Sequence, residues 1–202
     1  MQTKTTGTLH TLKETYAITF DALRTMSQLK KAKKHNEITP ELTERIMLAV
    51  TEVNGCQICS YAHAKMALEA GLSDTEIKHM LAGIADDIPA EDIQAVMFAQ
   101  HYADTRGAPS QKSWERVIES YGLTKAKGIL GATRIIMMGN VYGIPWSSFF
   151  NRLKGKPDIR SSLSYELSFM LSSLFFVPIA LIHAVISKKP LIQHETVKKA
   201  EG

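Results

Sequence analysis

Two cysteines and a histidine in segment 54–63 are the residues best suited to carry chemistry. Cys56, Cys59 and His63 stand at positions i, i+3 and i+7. In an α-helix this spacing puts all three side chains on one face. A thiolate is the nucleophile of thiol–disulfide chemistry, and a second thiol three residues away can close a disulfide with it. A histidine on the same face can accept or return the proton. The spacing therefore favours a redox pair with a proton carrier.

Two other interpretations of the same residues stay open. A Cys-X-X-Cys pair with a histidine could supply three zinc ligands, although the sequence has only 2 cysteines, so a closed structural site would need a distant histidine or carboxylate. Free cysteines are also often buried as small apolar residues. A helix beginning at Cys56 favours the redox interpretation, because the unpaired amides and positive dipole end of a helix stabilise a thiolate in its first turn.

The segments on either side of the motif carry helical patterns. Residues 8–35 have one apolar stripe and end in a basic run, which suits the negative end of a helix dipole. A Thr-Pro pair at 39–40 predicts a helix start, and an Asn-Gly pair at 54–55 predicts its end. We expect the motif helix to begin at Cys56 and to end near Gly71, since glycine can take the left-handed closing conformation.

The rest of the chain continues the helical pattern. Residues 73–76 have the spacing of a capping box, and another helix is expected to open at about Ala90. Gly122 is expected to end an amphipathic stretch, and the next helix is expected to run to about Asn140. The Gly-Ile-Pro sequence at 143–145 predicts a turn. The predicted fold class is therefore all-α, with about seven or eight helices.

Length, composition and charge limit the class of protein. A chain of 202 residues predicts one domain, and 45% hydrophobic residues exclude a disordered chain. A net charge of +4 gives no support to a nucleic-acid partner, so none is expected. The N-terminal residues lack the apolar core of a signal peptide. We therefore expect a protein of the reducing cytoplasm.

One apolar segment complicates this localisation. Residues 167–186 contain no formally charged side chain and are long enough for a transmembrane helix. Pro178 opposes a regular span, because proline lacks the backbone donor of a helix interior. We expect a helix at 161–187 that is buried in the core or in a subunit interface, with membrane contact as the alternative. The alternative function is a membrane-associated or assembly protein that retains the helical core.

A longer pattern resembles a known family. Glu44-x11-Cys56-x2-Cys59-x3-His63, with the continuation at 67–77, resembles the AhpD-like branch of the carboxymuconolactone decarboxylase superfamily. The resemblance covers about residues 36–150, so the first helix and the apolar C-terminal helix are additions within a single domain of residues 1–202.

This resemblance implies an activity and an assembly. It implies an all-helical bundle that assembles into homotrimers or hexamers, and a thiol peroxidase or disulfide reductase without a cofactor. The substrate would be a hydroperoxide or a disulfide, and a dithiol or a protein would supply the electrons.

The resemblance also assigns roles to individual residues. It implies that Cys59 is the peroxidatic cysteine, Cys56 the resolving one, Glu44 the carboxylate of a proton relay and His63 the motif histidine. The helical pattern alone does not place Glu44 near the cysteines. The best-known peroxidases of the family carry a second relay histidine where this chain has Ile58. Since an apolar side chain cannot carry protons, this difference affects peroxide turnover more than disulfide exchange. Lactone decarboxylation is not expected, because the decarboxylase branch lacks the cysteine pair.

Overall fold

The computed structural model describes residues 9–192, and within them the chain forms seven α-helices and no strand. The helices are α1 Leu12–Lys34, α2 Pro40–Asn54, α3 Gln57–Glu69, α4 Asp74–Leu81, α5 Ile93–Asp104, α6 Gln111–Leu153 and α7 Leu163–Ile186. The all-α prediction is confirmed, and a break at Gly122 inside α6 (φ 72°, ψ 162°) marks where an eighth helix was expected.

Side-chain caps define the helix starts. Thr11 and Glu14 form a reciprocal capping box at α1, in which the Glu14 amide donates to the Thr11 hydroxyl at 3.2 Å. The Thr39 hydroxyl accepts a hydrogen bond from the Leu42 amide, with proline in the first turn of α2. Ser73 caps α4 in the same way. The caps at Thr39 and Ser73 therefore lie where the sequence predicts them. The capping box at 73–76 is only half formed, because the Glu76 carboxylate accepts from Arg45.

The predicted turn at 143–145 is wrong. Helix α6 continues through Pro145 to Leu153, and residues 143–145 are buried. Proline removes only one backbone hydrogen bond, and a helix whose face is packed against neighbours tolerates that loss. The predicted start of α5 at Ala90 is also early, because a turn over 89–92 precedes Ile93.

Helix α6 is the centre of the bundle and contacts α1, α2, α3, α5 and α7. Two glycines allow its backbone to approach α1. A Cβ atom on Gly131 would lie 2.9 Å from the Cβ of Leu29, and one on Gly128 would collide with Ala32. The two helices are therefore in direct backbone contact over these turns.

A buried ion cluster fixes the position of α2. Arg45 donates to Glu76 of α4 at 2.6 Å and to Asp92, the residue before α5, at 2.8 Å. All three side chains are about 90% buried, at 11%, 9% and 9% exposure. Because one guanidinium contacts both carboxylates, the cluster ties α2 to α4 and to the start of α5. Arg45 follows Glu44 directly, so the same contacts orient the turn that carries Glu44.

The start of α1 is tied to the α5–α6 connection through Arg106. Its guanidinium donates to the Glu14 carboxylate at 2.9 Å and to Nδ1 of His10 at 3.1 Å. Burial and then the Arg106 charge lower the pKa of His10 to about 4. The hydrogen bond from Arg106 lowers the pKa of Glu14 to about 2. A neutral His10 and an ionised Glu14 are therefore the forms that this contact requires.

We expect the free energy of unfolding to fall on acidification in two ranges. Both folded pKa values lie below the ordinary 6.5 and 4.5, so the stabilisation is complete above about pH 6.5. It is lost through His10 as the pH falls toward 4, and through Glu14 as it falls toward 2. His10→Gln keeps a hydrogen-bond acceptor but does not titrate. Denaturant unfolding between pH 7 and 4 should show a smaller slope for this variant than for the wild type. Parallel curves would contradict the assignment.

Helix α7 is long and apolar enough to cross a membrane by length and composition alone, and only 17% of its most apolar window is buried. Its inner face packs on α1 and α6. There Glu166 is fully buried against Arg152 at 2.8 Å, and the ring of His183 stacks on Phe20. The expected helix at 161–187 is therefore present, but a single chain does not bury it in its core.

Candidate functional site

The motif lies at the junction of α2 and α3. Gly55 takes a left-handed conformation (φ 68°) that ends α2, and Cys56 is the N-cap of α3. The helix therefore begins within one residue of its predicted start. The sulfur atoms of Cys56 and Cys59 are joined in a disulfide across the first turn, with their Cα atoms 5.3 Å apart. The pair thus occupies the positive end of the α3 dipole, where a thiolate is favoured.

The disulfide lies just below the surface. Cys56 is fully buried, whereas Cys59 retains 9% exposure. Ile58, between them, is 45% exposed, and Tyr61 on the next turn is 79% exposed. Cys59 is therefore the more accessible of the two cysteines, and the surface around it is largely apolar.

The backbone of α6 crosses directly over the disulfide. A Cβ atom on Gly143 would lie 2.7 Å from the sulfur of Cys56 and 2.7 Å from that of Cys59. The Cys59 sulfur also contacts the Gly139 carbonyl at 3.8 Å, and the Ile58 amide donates to the Ser147 hydroxyl at 3.3 Å. Only glycine at position 143 allows this approach without displacement of α6 or of the cysteines.

We expect Gly143→Ala to lower the free energy of unfolding by about 1–3 kcal/mol, because the added methyl group overlaps both sulfurs. Gly139→Ala is the matched control, since its Cβ would meet only the Ile136 Cδ1 atom at 3.8 Å. Alanine in a helix interior is favoured over glycine by up to about 1 kcal/mol, so the control should be neutral or stabilising. Thermal unfolding of the oxidised proteins measures the difference. Equal melting temperatures would contradict the proposed contact.

Glu44 and His63 form a hydrogen-bonded pair beside the disulfide. The Oε2 atom of Glu44 lies 2.8 Å from Nδ1 of His63, with side-chain exposures of 8% and 16%. His63 is one helical turn after Cys59, on the same face of α3. With a proton on Nδ1 donated to Glu44, the other ring nitrogen, Nε2, is left as an acceptor. Within residues 9–192 that nitrogen has no hydrogen-bond partner.

The proximity of Glu44 to His63 follows from the α2–α3 hairpin. Glu44 lies ten residues before Asn54, and His63 lies eight residues after Gly55. Because the two helices join at this turn and pack against each other, residues at similar distances from the turn lie close together. The structure thus brings together all four residues that the family resemblance implied: Cys56, Cys59 and His63 on α3, and Glu44 on α2.

A cavity of about 630 Å³ reaches Glu44 from the side of the α1–α2 connection. Glu44 forms part of its wall, together with Thr43, Met66 and Lys33. The cavity gives the buried carboxylate a path to solvent.

Sequence reasoning missed the contribution of α6. Gly139, Gly143 and Ser147 stand at four-residue steps and therefore share one helix face, which is the face that covers the motif. This stripe of small residues was the available signal, but the predicted turn at 143–145 obscured it. Asn140, fully buried, accepts a hydrogen bond from Thr51 of α2 at 3.2 Å and adds a polar contact between the same elements.

The zinc interpretation finds no support among the described residues. The two sulfurs are bonded to each other, and His63 faces Glu44. In the part of the chain from residue 9 to residue 192, no three His, Cys, Asp or Glu side chains are grouped to hold a metal ion.

Comparison with known proteins supports the family resemblance. Residues 20–101 match the model of the carboxymuconolactone decarboxylase family. The match runs from α1 into α5 and includes Glu44, Cys56, Cys59 and His63. The resemblance is therefore confirmed, although the match begins in α1 at residue 20, before the expected start at about 36, and ends at residue 101, before the expected end at about 150. No curated protein and no solved structure matches the chain.

Proposed function

We propose that this chain is a thiol–disulfide oxidoreductase whose reactive group is the Cys56–Cys59 pair. The observation that carries the proposal is a disulfide in the first turn of a helix, one turn before a histidine that is hydrogen-bonded to a buried carboxylate at 2.8 Å. The family match is consistent with this chemistry.

The reductive half-reaction takes two electrons from a dithiol donor. A donor thiolate attacks the more accessible sulfur, that of Cys59, and the Cys56 sulfur leaves as a thiolate. The second donor thiol then attacks the donor sulfur that is bonded to Cys59 in the mixed disulfide. Cys59 leaves as a thiolate, and the donor departs as a disulfide. The pair gains two electrons, and protons reach it through His63, whose imidazolium form is stabilised by Glu44.

The oxidative half-reaction returns these electrons to a substrate disulfide. The Cys59 thiolate attacks one substrate sulfur, and the other leaves as a thiolate that His63 can protonate. Cys56 then attacks Cys59 and releases the second substrate thiol. The exposed Ile58 and Tyr61 give the approach to Cys59 an apolar character, which favours a protein disulfide over a small hydrophilic oxidant.

Hydroperoxide reduction is the second candidate, and the Glu44–His63 pair favours it. The Cys59 thiolate would attack the terminal oxygen, the O–O bond would break, and the alkoxide would leave as an alcohol with a proton from His63. Cys56 would attack the sulfenic acid, with water as the leaving group, to form the disulfide. Ile58 occupies the place of a second relay histidine, so we expect this reaction to be slower than disulfide exchange.

The proposal extends to assembly and location. A homotrimer or hexamer, as the family resemblance implies, is supported by the exposed apolar side chains of α3, including Leu68 at 50% exposure. A cytoplasmic location would supply the dithiol or protein donor that the cycle requires. No cofactor takes part in either half-reaction.

The experiment measures how fast the full-length protein oxidises a lipoamide-type dithiol, which is the electron donor. Two oxidants are tested separately: insulin, through its disulfides, and an alkyl hydroperoxide. The control is the same protein reduced and then alkylated at both cysteines. We expect oxidation of the donor to require both an oxidant and unmodified cysteines. The rate should be higher with insulin than with the hydroperoxide. Rates equal to those of the alkylated protein for both oxidants would overturn the proposed function.

A further inference from the structure

The outer side of α7 is a large apolar surface that the redox chemistry does not use. Ten apolar side chains of this helix are 40% or more exposed, Leu174, Phe175, Ile182 and Val185 each above 60%. Together they expose on the order of 1,000 Å², against about 300–600 Å² for the largest patch of a typical monomer. The last turns of α6, which lead into α7, also expose Trp146 and Phe150 at 39% and 44%. We refer to the exposed side of α7 as the outer face.

The way α7 is held excludes a transmembrane position in this conformation. Contacts with α1 and its flanking residue hold α7 at its first turn, near its end and just after it: Tyr165 donates to the His10 carbonyl, Tyr16 lies 3.1 Å from the ring of His183, and Arg24 donates to the Pro190 carbonyl at 2.6 Å. A span by α7 would carry α1 and its charged side chains into the hydrocarbon, at a high cost for each charge. The helix is about 36 Å long, and its outer face would therefore meet a membrane with the helix axis parallel to the membrane surface.

Pairs of lysines stand on both sides of α7 in the sequence. Lys154 and Lys156 precede the helix, and Lys188 and Lys189 follow it. Within the described residues none of these four lysines lies in an ion pair. The Asp158 carboxylate pairs with Arg160 at 2.7 Å, and Glu166 is fully buried against Arg152, so each of these two carboxylates is compensated by an arginine. An apolar surface with cationic ends is complementary to a bilayer that carries anionic headgroups.

The same charges oppose a second copy of the chain as the occupant. If two copies met through the outer face in parallel, each lysine pair would face its own counterpart. If they met antiparallel, the lysines at 154 and 156 of one copy would face those at 188 and 189 of the other. Both arrangements bring like charges together at both ends of the contact. A negatively charged surface avoids this repulsion.

We propose that the outer face of α7 docks on the surface of an anionic lipid bilayer, with the helix lying in the plane of the interface. The apolar side chains enter the boundary between headgroups and acyl chains, and the lysines contact the headgroups. The proposal is independent of the redox function, because none of the residues involved touches the cysteines.

Sedimentation of the full-length chain with vesicles tests this. We expect binding to phosphatidylcholine vesicles that contain phosphatidylglycerol, and at least about tenfold weaker binding to phosphatidylcholine alone. Replacing the four lysines with glutamine should weaken binding by at least about tenfold, as should Phe175→Ser combined with Val185→Ser. The matched control replaces Lys65, Lys78, Lys112 and Lys125 with glutamine and should bind like the wild type.

Three results would overturn the proposal. One is the absence of binding to either vesicle. Another is equal binding to both vesicles that survives alkaline carbonate extraction, which would indicate an inserted helix. The third is a dimer in solution that the Phe175→Ser variant no longer forms, which would show that a second copy of the chain covers the outer face. Circular dichroism of each variant keeps loss of folding separate from loss of binding.

Discussion

Cys59→Ser is expected to abolish dithiol-dependent turnover, with activity falling to that of alkylated protein. Cys59 is the more accessible sulfur, and every step of the proposed cycle passes through it. Serine is nearly isosteric, but its hydroxyl is not ionised at neutral pH and cannot form a mixed disulfide. Steady-state oxidation of the dithiol donor measures the effect, and thermal unfolding of each variant verifies that it is folded.

Cys56→Ser should also stop turnover, but after the first chemical step. With a disulfide substrate, Cys59 should be trapped in a stable mixed disulfide, and with a hydroperoxide it should be trapped as a sulfenic acid. Mass spectrometry of the intact protein reports both adducts. The same adducts on Cys56 in the Cys59→Ser variant would reverse the assigned roles. Wild-type turnover by both variants would contradict the redox assignment itself.

Glu44→Gln is expected to lower turnover by about 10²-fold, at the lower end of the range for general acid–base catalysis. The amide oxygen of glutamine can still accept the hydrogen bond from Nδ1 of His63, so the ring keeps its position. The neutral side chain cannot stabilise the imidazolium that forms when His63 takes a proton. The loss should therefore appear in kcat, with little change in KM, and in the pH–rate profile.

Glu119→Gln is the matched control for the change in charge. Glu119 is exposed near the start of α6, on the N-terminal side of the break at Gly122, far along the helix from Gly143. This variant should retain wild-type kcat and pH profile. If Glu44→Gln also retained them, Glu44 would have no part in proton transfer, although the cysteine chemistry could stand.

Local sequence signals predicted the helices well where local contacts define them. The hydroxyls of Thr39 and Ser73 cap helix starts, and Gly55 ends a helix in the left-handed conformation. Each acts within one turn of its own position, so its effect can be predicted from the sequence. The same holds for the placement of Cys56, Cys59 and His63 on one face, since helical spacing alone determines it.

The parts that local signals missed depend on packing between distant segments. Gly143 and Pro145 form a turn in many contexts, but here contact with the motif keeps them in a buried helix. The contact of Glu44 with His63 depends on the angle at which α2 and α3 meet, and only the family pattern indicated it. For α7, apolar composition did not predict burial, because within residues 9–192 its extensive contacts are with α1 and α6 alone.

Thiol titration of the native, full-length protein tests the central claim most directly, namely that Cys56 and Cys59 are an accessible pair that cycles between dithiol and disulfide. We expect no reactive thiol in the oxidised protein, two after reduction with a dithiol and removal of the reductant, and none again after addition of a substrate disulfide, over repeated cycles without denaturant. Thiols that react only after the protein is unfolded, or a disulfide that native protein does not re-form, would contradict it.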